Sequence, residues 1–461
     1  MKNKLGIRLG VIGGTLISVC GVIEKIGGFV EKVVPIPSWL WLVFFLSGVV
    51  LTFIFICWDK IVLLFTPDIS WRNDGFAYMT IEARFRDNFN KIKDEDKVHI
   101  KGKGKDYHYA DFCKEDVMSA EGIMKLFPNE DQKDEYRAKL QKLMAEYNLT
   151  VKTDIQYLFA NTPFIFAEHY YFYHILKLCK KGVDPWQTVK ENSLQNTVNA
   201  KENNRIVKLI GAYKDEQFDN IIDQSVFANS TDLSQTTAKV KTAATDSRET
   251  VSAYVVNDRE KVQRYCKKNL NDSIVHIVVD NSGIELISDL IFGAYLINNS
   301  HAKKVIYHHN VLPIFVSDAV SADFDAAINA IKKIDSAVGE SIVTMKEKGQ
   351  MEFVSNAFWN MPFPFKEMPE KLLREFNDEE VGLIIIKGDL NYRRLVEDKK
   401  WRITKSIKPR VSYFEKPLLI LRSLKSDTLL GIDGATARRY DTAQPNWKTT
   451  GDYGMIQFIE K

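Results

Sequence analysis

The sequence predicts an α/β protein with a mostly parallel sheet, packed with an N-terminal helical domain and preceded by two transmembrane helices. Three observations support this fold class. Short apolar runs alternate with helical stretches beyond about residue 270, helical periodicity fills about 140 residues from about residue 74, and the first 65 residues are far more apolar than the rest. We therefore expect a transmembrane hairpin at 1–65, a helical domain at 66–220 and an α/β domain with the functional site at 221–461.

Five short runs rich in β-branched residues carry the α/β prediction. Several of them are separated by amphipathic helical stretches, which indicates parallel strands joined by helical crossovers. The carboxyl ends of parallel strands meet at one edge of a sheet, where ligands bind. The predicted strands are SIVHIVV (273–279), KKVIYHH (303–309), PIFVSD (313–318), VGLIIIK (381–387) and PLLILRSL (417–424).

The N-terminal segment predicts membrane attachment. Residues 39–58 carry no charge and have Trp at both ends, and twenty apolar residues at about 1.5 Å each span a bilayer core of about 30 Å. A shorter, glycine-rich segment at 9–23 would form the first arm of a hairpin. Three cations before this arm place the amino end and the large domain in the cytoplasm, so a two-pass protein would contact the lipid bilayer through 1–65. A single span with the amino end outside is the alternative.

The composition and the motifs argue against several functional classes. The net charge is only +3 and no basic stripe with interleaved aromatics is present, so we expect no nucleic acid partner. The five cysteines are odd in number and form no CxxC pair, which argues against a disulfide framework and a zinc site. No GxSxG elbow occurs, and no GxGxxG follows the first of the predicted strands. His308 and His309 are adjacent, so on a strand they would point to opposite faces.

Polar side chains follow three of the predicted strands at the edge where ligands bind. Asp280 and Asn281 follow the first run, Asp318 ends the third, and the fourth ends at Lys387 with Asp389 just beyond. The side-chain oxygens of Asp280, Asn281 and Asp318 favour a divalent metal, Mn²⁺ or Mg²⁺ rather than zinc. Lys387 would supply a compact positive charge for phosphate. Ordinary turn chemistry is the alternative interpretation of these residues.

We refer to the place where Asp280, Asn281 and Asp318 would meet as the corner. Further features near this corner favour the binding of an anion. Gly283 permits a sharp turn, and a helix with Glu285 in its first turn follows, so free helix N–H groups would face the corner. Arg422 and Lys425 lie near the end of the last predicted strand, where they are candidates for phosphate contact or form a charged rim. Together these features predict a phosphoryl-transfer or phosphatase site.

Glu168 is an unusual carboxylate within an apolar helical stretch, FIFAEHYYFYHILKLC (164–179), which we expect inside the helical layer. Buried carboxylates are rarely left unpaired. Glu168 is therefore either ion-paired or faces a site, and the sequence leaves both interpretations open.

Nine sequence blocks resemble those of the metal-dependent damage-control phosphatases, in the branch that includes the acidic-residue methyltransferase proteins of eukaryotes. The blocks occur in family order across nearly all of 74–461, and several are long and idiosyncratic. They are FAYMTIEARF (76–85), PFIFAEHYYFY (163–173), FANSTDLS (227–234), DNSGIELISDL (280–290), PIFVSD (313–318), FWNMPFPFKEMP (358–369), KGDLNYRRL (387–395), LRSLKSD (421–427) and GDYGMIQF (451–458).

The resemblance implies a helical domain packed on a Rossmann-like α/β domain, with the site in the cleft between them. It implies a divalent metal, with Co²⁺ or Ni²⁺ also possible, on the three oxygen ligands named above, and hydrolysis of small phosphometabolites, commonly sugar phosphates. Arg422 and Lys425 resemble the Arg-Thr-x-Lys signature of this branch, with Ser423 in place of Thr. The other implied site residues are Lys387 at the phosphate, Glu168, Asn229, Asp232 and Glu285 on the pocket wall, and Asp389 and Asn391 at the substrate.

The chain departs from the family pattern at three places. Phe227-Ala228-Asn229 replaces a common Trp-Gly-Asn, Tyr173-His174 replaces an Arg pair, and His308-His309-Asn310 replaces His-Gly-Lys. Fewer cationic groups near the cleft would alter substrate choice or weaken phosphate binding. The membrane hairpin is also outside the usual family pattern.

We therefore predict a membrane-tethered, cytosol-facing, divalent-metal-dependent phosphatase that hydrolyses a small phosphorylated metabolite. The altered cationic positions and the hairpin favour one alternative, a membrane-bound sensor or effector that binds a phosphorylated ligand with little turnover. Protein carboxyl methylation is a weaker hypothesis, because no glycine-rich loop for S-adenosylmethionine follows the early α/β strands.

Overall fold

The computed structural model describes residues 68–69, 75–94, 107–128, 133–199, 205–228 and 253–461. The predicted hairpin at 1–65 lies outside these ranges, as do two predicted site residues, Asn229 and Asp232. Within the described ranges, no helix combines the length and the apolar character that a membrane crossing requires.

The described strands form one seven-stranded sheet in the order β1-β7-β6-β5-β2-β3-β4. Each pairing is parallel except that of β6 with β7, which is antiparallel. The prediction of an α/β fold with a mostly parallel sheet is therefore confirmed. The strands are β1 (Tyr254–Asn257), β2 (Ile274–Val278), β3 (Lys304–His309), β4 (Met351–Ser355), β5 (Val381–Lys387), β6 (Leu418–Ser423) and β7 (Gly454–Ile459).

The central strand β5 is a nearly continuous apolar run because both faces of the sheet are covered. Ile384 and Ile386 enter the core that contains the N-terminal helices, whereas Leu383 and Ile385 enter the second core. Alternate residues of a strand point to opposite faces, so one strand supplies two cores. The carboxyl ends of the strands remain the place where polar side chains gather.

Helices precede the sheet in the chain and then alternate with its strands. The helix Phe164–Leu178 is buried over most of its length, as its apolar sequence predicts. The α-helices are α1 (Gly75–Met79), α2 (Phe85–Asp94), α3 (Tyr109–Phe112), α4 (Ala120–Met124), α5 (Lys133–Glu146), α6 (Ile155–Asn161), α7 (Phe164–Leu178), α8 (Gln187–Asn199), α9 (Arg205–Lys214), α10 (Phe218–Phe227), α11 (Arg259–Asn269), α12 (Ile284–Ser300), α13 (Ser321–Ile334), α14 (Ser336–Glu347), α15 (Glu370–Phe376), α16 (Asp389–Val396) and α17 (Gly434–Ala443).

One predicted strand, 313–318, is wrong. These residues form a loop that leaves the sheet after β3 and returns to the end of β2, where Asn281 and Asp318 form an isolated bridge. Ile314 and Val316 are buried in the core, which explains why the loop has the apolar pattern of a strand.

Three strands were not predicted. The sheet begins at Tyr254 rather than near residue 270, and β1 is a short edge strand of four residues. The opposite edge strand, β4, exposes several of its residues and therefore lacks a continuous apolar run. The antiparallel strand β7 follows α17 near the end of the chain and lies between β1 and β6 in the sheet.

Candidate active site

Asp280 and Asn281 lie just beyond the end of β2 and are held by hydrogen bonds among their own side chains. The Asn281 amide nitrogen donates to Oδ2 of Asp280 and to Oε2 of Glu285, both at 2.9 Å. The Asn281 Oδ1 atom accepts a hydrogen bond of 2.5 Å from the hydroxyl of Ser317. The two side chains that sequence patterns placed at a strand end are therefore fixed rather than free in a turn.

The loop after β3 brings Asp318 to the same corner. Two backbone bonds join the loop to the end of β2: Ser282 donates to the carbonyl of Ser317 at 2.7 Å, and Ala319 donates to the carbonyl of Asp280 at 3.0 Å. The Asp318 carboxylate is only 2% exposed, and burial raises its pKa to about 7. Asp280 and Asp318 line one cavity, although Asp318 comes from a loop and not from a strand end.

Asn310 occupies a position where the resemblance leads one to expect a lysine. Its amide nitrogen donates to Oδ2 of Asp318 at 2.6 Å, and the backbone N–H of Phe315 reaches the same oxygen at 3.3 Å. A neutral donor thus orients this carboxylate where a cation was expected. A second departure, Tyr173-His174, lies away from the cavity: the Tyr173 hydroxyl donates to the carbonyl of Asn360, and His174 pairs with Glu115. The remaining departure includes Asn229, which lies outside the described residues.

Gly388 closes the corner from the end of β5. Its φ is +82°, and a Cβ atom there would lie 1.8 Å from Oδ2 of Asp280. A glycine is required on both counts, because only glycine adopts this backbone freely and leaves space for the carboxylate. The next residue, Asp389, begins α16 and lines the cavity, and its Oδ1 accepts a hydrogen bond of 3.1 Å from the backbone N–H of Lys425.

Lys387 does not lie on the cavity wall. Its side chain is fully buried, and Nζ donates to the carbonyl and hydroxyl of Ser225 at 2.5 and 2.8 Å. The same atom pairs with Asp289 at 3.0 Å and with Glu285 at 3.5 Å. Burial lowers the pKa of Lys387, but these two carboxylates outweigh burial and keep the pKa above its usual value. In this arrangement the amine neutralises carboxylates behind the corner, and phosphate contact would require it to exchange those partners.

Asp289 is a residue that sequence reasoning missed. It is fully buried, and burial raises its pKa to about 7, against the opposing effect of Lys387. It stands four residues after Glu285 on α12, so both carboxylates face Lys387 from one side of the helix. That spacing within GIELISDL was the available signal.

Glu168 combines both interpretations that the sequence left open. Its Oε2 accepts a hydrogen bond of 2.7 Å from Nη1 of Arg393, and the residue also lines the cavity. Burial raises the pKa of Glu168, while Arg393 opposes this rise. Arg393 itself is held on its other side by Asp398 at 2.8 Å. The pair therefore links α7 to α16 at the cavity wall.

Arg422 and Lys425 are the predicted cations that do line the cavity. Arg422 is 1% exposed, stacks on the ring of Tyr392 at 3.9 Å and donates to the carbonyl of Thr428 at 3.0 Å. Its Nε atom has no hydrogen-bond partner within the described residues. A buried guanidinium with an unused donor is suited to bind a phosphoryl oxygen.

Asn391 does not line the cavity, and its side chain instead bonds the backbone. Its amide nitrogen donates to the carbonyls of Val279 and Lys387, each at 3.0 Å. These bonds tie the end of β2 to the end of β5. Asn391 therefore positions the two strand ends that carry Asp280 and Gly388.

The opposite wall includes residues of the N-terminal helices that were not assigned to the site from sequence. Thr80 and Arg84 belong to a π-helical turn, Thr80–Arg84, between α1 and α2, and Asn88 follows one turn later. The block FAYMTIEARF marked this region, but a π-helical turn leaves no periodic signal in a sequence. Phe85, Phe172 and Phe315 supply apolar surface to the same cavity.

The fold and this corner define an α/β protein whose carboxylate-lined cavity lies at the carboxyl edge of a parallel sheet, opposite a wall of helices. The chain belongs to the family described as the damage-control phosphatase ARMT1-like domain, which matches residues 116–439. The family membership expected from the nine sequence blocks is thus confirmed.

Curated relatives agree with this family. The damage-control phosphatase ARMT1 of Rattus norvegicus is 36% identical over 193 residues, which cover 40% of this chain and 43% of the rat protein. That of Danio rerio is 26% identical over 440 residues, covering 83% of this chain and 94% of the relative. That of Homo sapiens is 27% identical over 348 residues, covering 69% of this chain and 79% of the human protein. The first of these alignments spans less than half of the rat protein.

Proposed function

We propose that this protein is a divalent-metal-dependent phosphatase that hydrolyses the phosphate monoester of a small, sugar-phosphate-like metabolite. The observation that carries this proposal is one cavity whose lining includes the carboxylates Asp280 and Asp318 and the cations Arg422 and Lys425. The family of the chain supports phosphatase chemistry, and its relatives are named as damage-control phosphatases.

The residues at the corner fit a hard divalent cation. Asp280, Asn281 and Asp318 offer only side-chain oxygens, and the buried Asp318 carboxylate lies in surroundings that favour a counter-charge. Within the described residues no three His, Cys, Asp or Glu side chains cluster closely enough to hold a metal, so the amide of Asn281 would have to complete the set. When bound, Mn²⁺ or Mg²⁺ would acidify a bound water and neutralise phosphoryl charge, and Co²⁺ or Ni²⁺ are further candidates.

The chain's own residues would bind and orient the phosphate. Arg422 and Lys425 would contact phosphoryl oxygens, and Asp389 fixes both: its Oδ1 lies 3.4 Å from Nη1 of Arg422 and accepts from the Lys425 backbone. Asn310 and Asn281 hold the carboxylates in place, and the phenylalanines of the opposite wall exclude water. Lys387 and Asn391 would act indirectly, by setting the charge and the position of the strand ends.

Phosphate release from purified full-length protein tests this function. A panel of sugar phosphates should be hydrolysed with Mn²⁺, Mg²⁺, Co²⁺ or Ni²⁺, and not after removal of metal by a chelator. Asp280→Asn and Asp318→Asn should each lower kcat/KM by about a hundredfold or more, because each removes a charged ligand. The exposed Asp325→Asn is the matched control and should retain wild-type activity. Full activity in both cavity variants would reject the assignment.

The same assay separates the alternatives. Saturable binding of a phosphorylated ligand without turnover by any metal would favour the sensor or effector, for which the neutral Asn310 beside Asp318 is the supporting observation. Methyl transfer from labelled S-adenosylmethionine to protein carboxylates would support the carboxyl methyltransferase.

We also propose that residues 1–65 tether the protein to a membrane as a two-pass hairpin, with 66–220 and 221–461 forming cytoplasmic helical and α/β domains. The support is the uncharged, tryptophan-bounded segment 39–58 and the cations that precede the first arm. Extraction of cell membranes with alkaline carbonate should leave the full chain in the pellet. A thiol reagent that does not cross membranes, applied to intact cells, should not label cysteines introduced after residue 66. Labelling of those cysteines would contradict the proposed orientation.

A further inference from the structure

Asn88 is a buried amide that lines the cavity and whose side-chain oxygen is not used in the fold. The side chain is 2% exposed and lines the same cavity as Asp280 and Asp318. Its Oδ1 atom has no hydrogen-bond partner among the described residues. Most buried polar atoms in native proteins are paired, so an unpaired acceptor facing a binding cavity calls for a partner that enters with the ligand.

The local backbone places Asn88 in this position. The π-helical turn Thr80–Arg84 precedes α2, and Thr80, Arg84 and Asn88 recur at intervals of four residues on the cavity side. Nη1 of Arg84 donates to Oγ1 of Thr80 at 3.3 Å, which orders the start of this polar strip. π-helical turns are uncommon and occur frequently at functional sites.

The chemistry of an acceptor determines what it can recognise. Arg422 and Lys425, to which the proposed function assigns the phosphoryl oxygens, belong to the α/β side of the cavity, whereas Asn88 belongs to the helical side together with Arg84. A phosphoryl dianion carries no proton to donate, so it cannot satisfy an amide oxygen. A hydroxyl group on the organic part of the substrate can donate that hydrogen bond.

We propose that Asn88 is a specificity-determining residue whose amide oxygen accepts a hydrogen bond from a hydroxyl of the leaving group. This inference rests on the proposed phosphatase function and narrows it to monoesters whose organic part carries a free hydroxyl near the helical wall. Sites built to bond a substrate hydroxyl discriminate strongly against analogues that lack it, because the buried partner is then left unpaired.

Substrate pairs that differ by one hydroxyl test the proposal on the full-length protein. Hexose and pentose phosphates are compared with their monodeoxy analogues and with p-nitrophenyl phosphate, which has no hydroxyl. Asn88→Leu should lower kcat/KM for the best hydroxylated substrate by about ten- to a hundredfold. It should change kcat/KM for p-nitrophenyl phosphate and for one of the deoxy analogues by less than about twofold.

Two further variants control the result. Asn88→Asp retains an acceptor and should retain the preference for the hydroxylated substrate, and Asn90→Leu, on the exposed side of the same helix, should behave as wild type. Equal losses on all substrates would reassign Asn88 to folding or to general positioning, and no loss on any would show that water alone satisfies the amide. Either result overturns the proposal.

Failure of the proposed function is distinguishable from failure of this inference. If wild-type protein releases no phosphate, binding of the same substrate pairs is measured by calorimetry. A preference for the hydroxylated ligand that disappears in Asn88→Leu would still support the role of Asn88. Equal binding of both ligands by wild type would overturn it.

Discussion

Gly388 and Asp280 are packed so closely that a Cβ atom at position 388 would lie 1.8 Å from Oδ2 of the carboxylate. The two residues follow adjacent strands, β5 and β2, which pair in parallel. The position of Asp280 therefore depends on the absence of a side chain at the neighbouring strand end. The geometry of the corner is set by Gly388 as well as by the acidic residues.

The Gly388→Ala variant should lose activity by about a hundredfold or more, because displacement of a reacting group by about 1 Å has effects of that size. Phosphate release measures the loss, and calorimetric titration with Mn²⁺ measures the accompanying loss of metal affinity. Gly349→Ala is the matched control: its φ is +69°, but nothing lies within 4 Å of the added atom. That control should lose about 1–2 kcal/mol of stability through backbone strain and retain activity. Equal activity of the two variants would show that the contact is unimportant.

Removal of the buried Lys387 amine should destabilise the protein. Lys387→Met leaves Asp289 and Glu285 buried without their cation, and we expect a loss of about 3–5 kcal/mol in the free energy of unfolding, measured in urea. The double variant Lys387→Met/Asp289→Leu should recover much of that stability because one unpaired charge is gone. If Lys387 also contacts phosphate, the double variant will regain stability without regaining activity; if it acts only through the carboxylates, part of the activity returns.

The Glu168–Arg393 pair allows the structural and functional roles of one carboxylate to be separated. Glu168→Gln keeps the size and one acceptor but removes the charge, while Asp398 continues to hold Arg393. We expect a stability loss of about 1–3 kcal/mol. A change in KM or kcat beyond that of the Asp398→Asn variant, which weakens the other side of Arg393, would show that Glu168 acts on the substrate. Parallel behaviour of the two variants would restrict Glu168 to its ion pair.

Two buried histidines should make the fold sensitive to mild acid. Nδ1 of His276 lies 2.7 Å from Nε2 of His308, and burial lowers the pKa of His276 to about 4 and that of His308 well below its usual value. The unfolded chain, with an ordinary histidine pKa of about 6.5, binds more protons than the folded chain below that pH. Stability is therefore fully present above pH of about 6.5 and falls as pH drops towards about 4, by about 3 kcal/mol for His276 alone.

The double variant His276→Phe/His308→Phe tests this pH dependence. Urea unfolding at intervals between pH 7 and pH 4 should give a flatter stability profile than wild type, since aromatic neighbours such as Phe376 already surround the pair. An unchanged slope would assign acid sensitivity to other groups.

Local patterns were sufficient for much of the sheet but not for the loop at 313–318. β5 was predicted with its observed bounds because a strand buried on both faces is apolar throughout. The loop carries the same apolar character for a different reason, as Ile314 and Val316 pack into a core without joining the sheet. The edge strand β4 was missed because its exposed residues give no apolar run.

The candidate site also contains residues that the sequence could predict and residues that it could not. Asp280, Asn281 and Asp318 were predictable as oxygen-bearing residues after apolar runs, and the structure brings them to one corner. The buried position of Lys387 could not be predicted, because it depends on Ser225 and Asp289 from two other helices. The role of Asn88 could not be predicted either, because it depends on an Oδ1 atom that has no hydrogen-bond partner among the described residues.

The sequence by itself determined the alternation of strands and helices, the family and the chemical types at the corner, because periodicity and short motifs are properties of neighbouring residues. Only the tertiary structure decided which of those residues reach the cavity and which neutralise charge behind it. The physical reason is that burial and pairing depend on groups far apart in the chain: Lys387 meets Ser225 across 162 positions, and Glu168 meets Arg393 across 225.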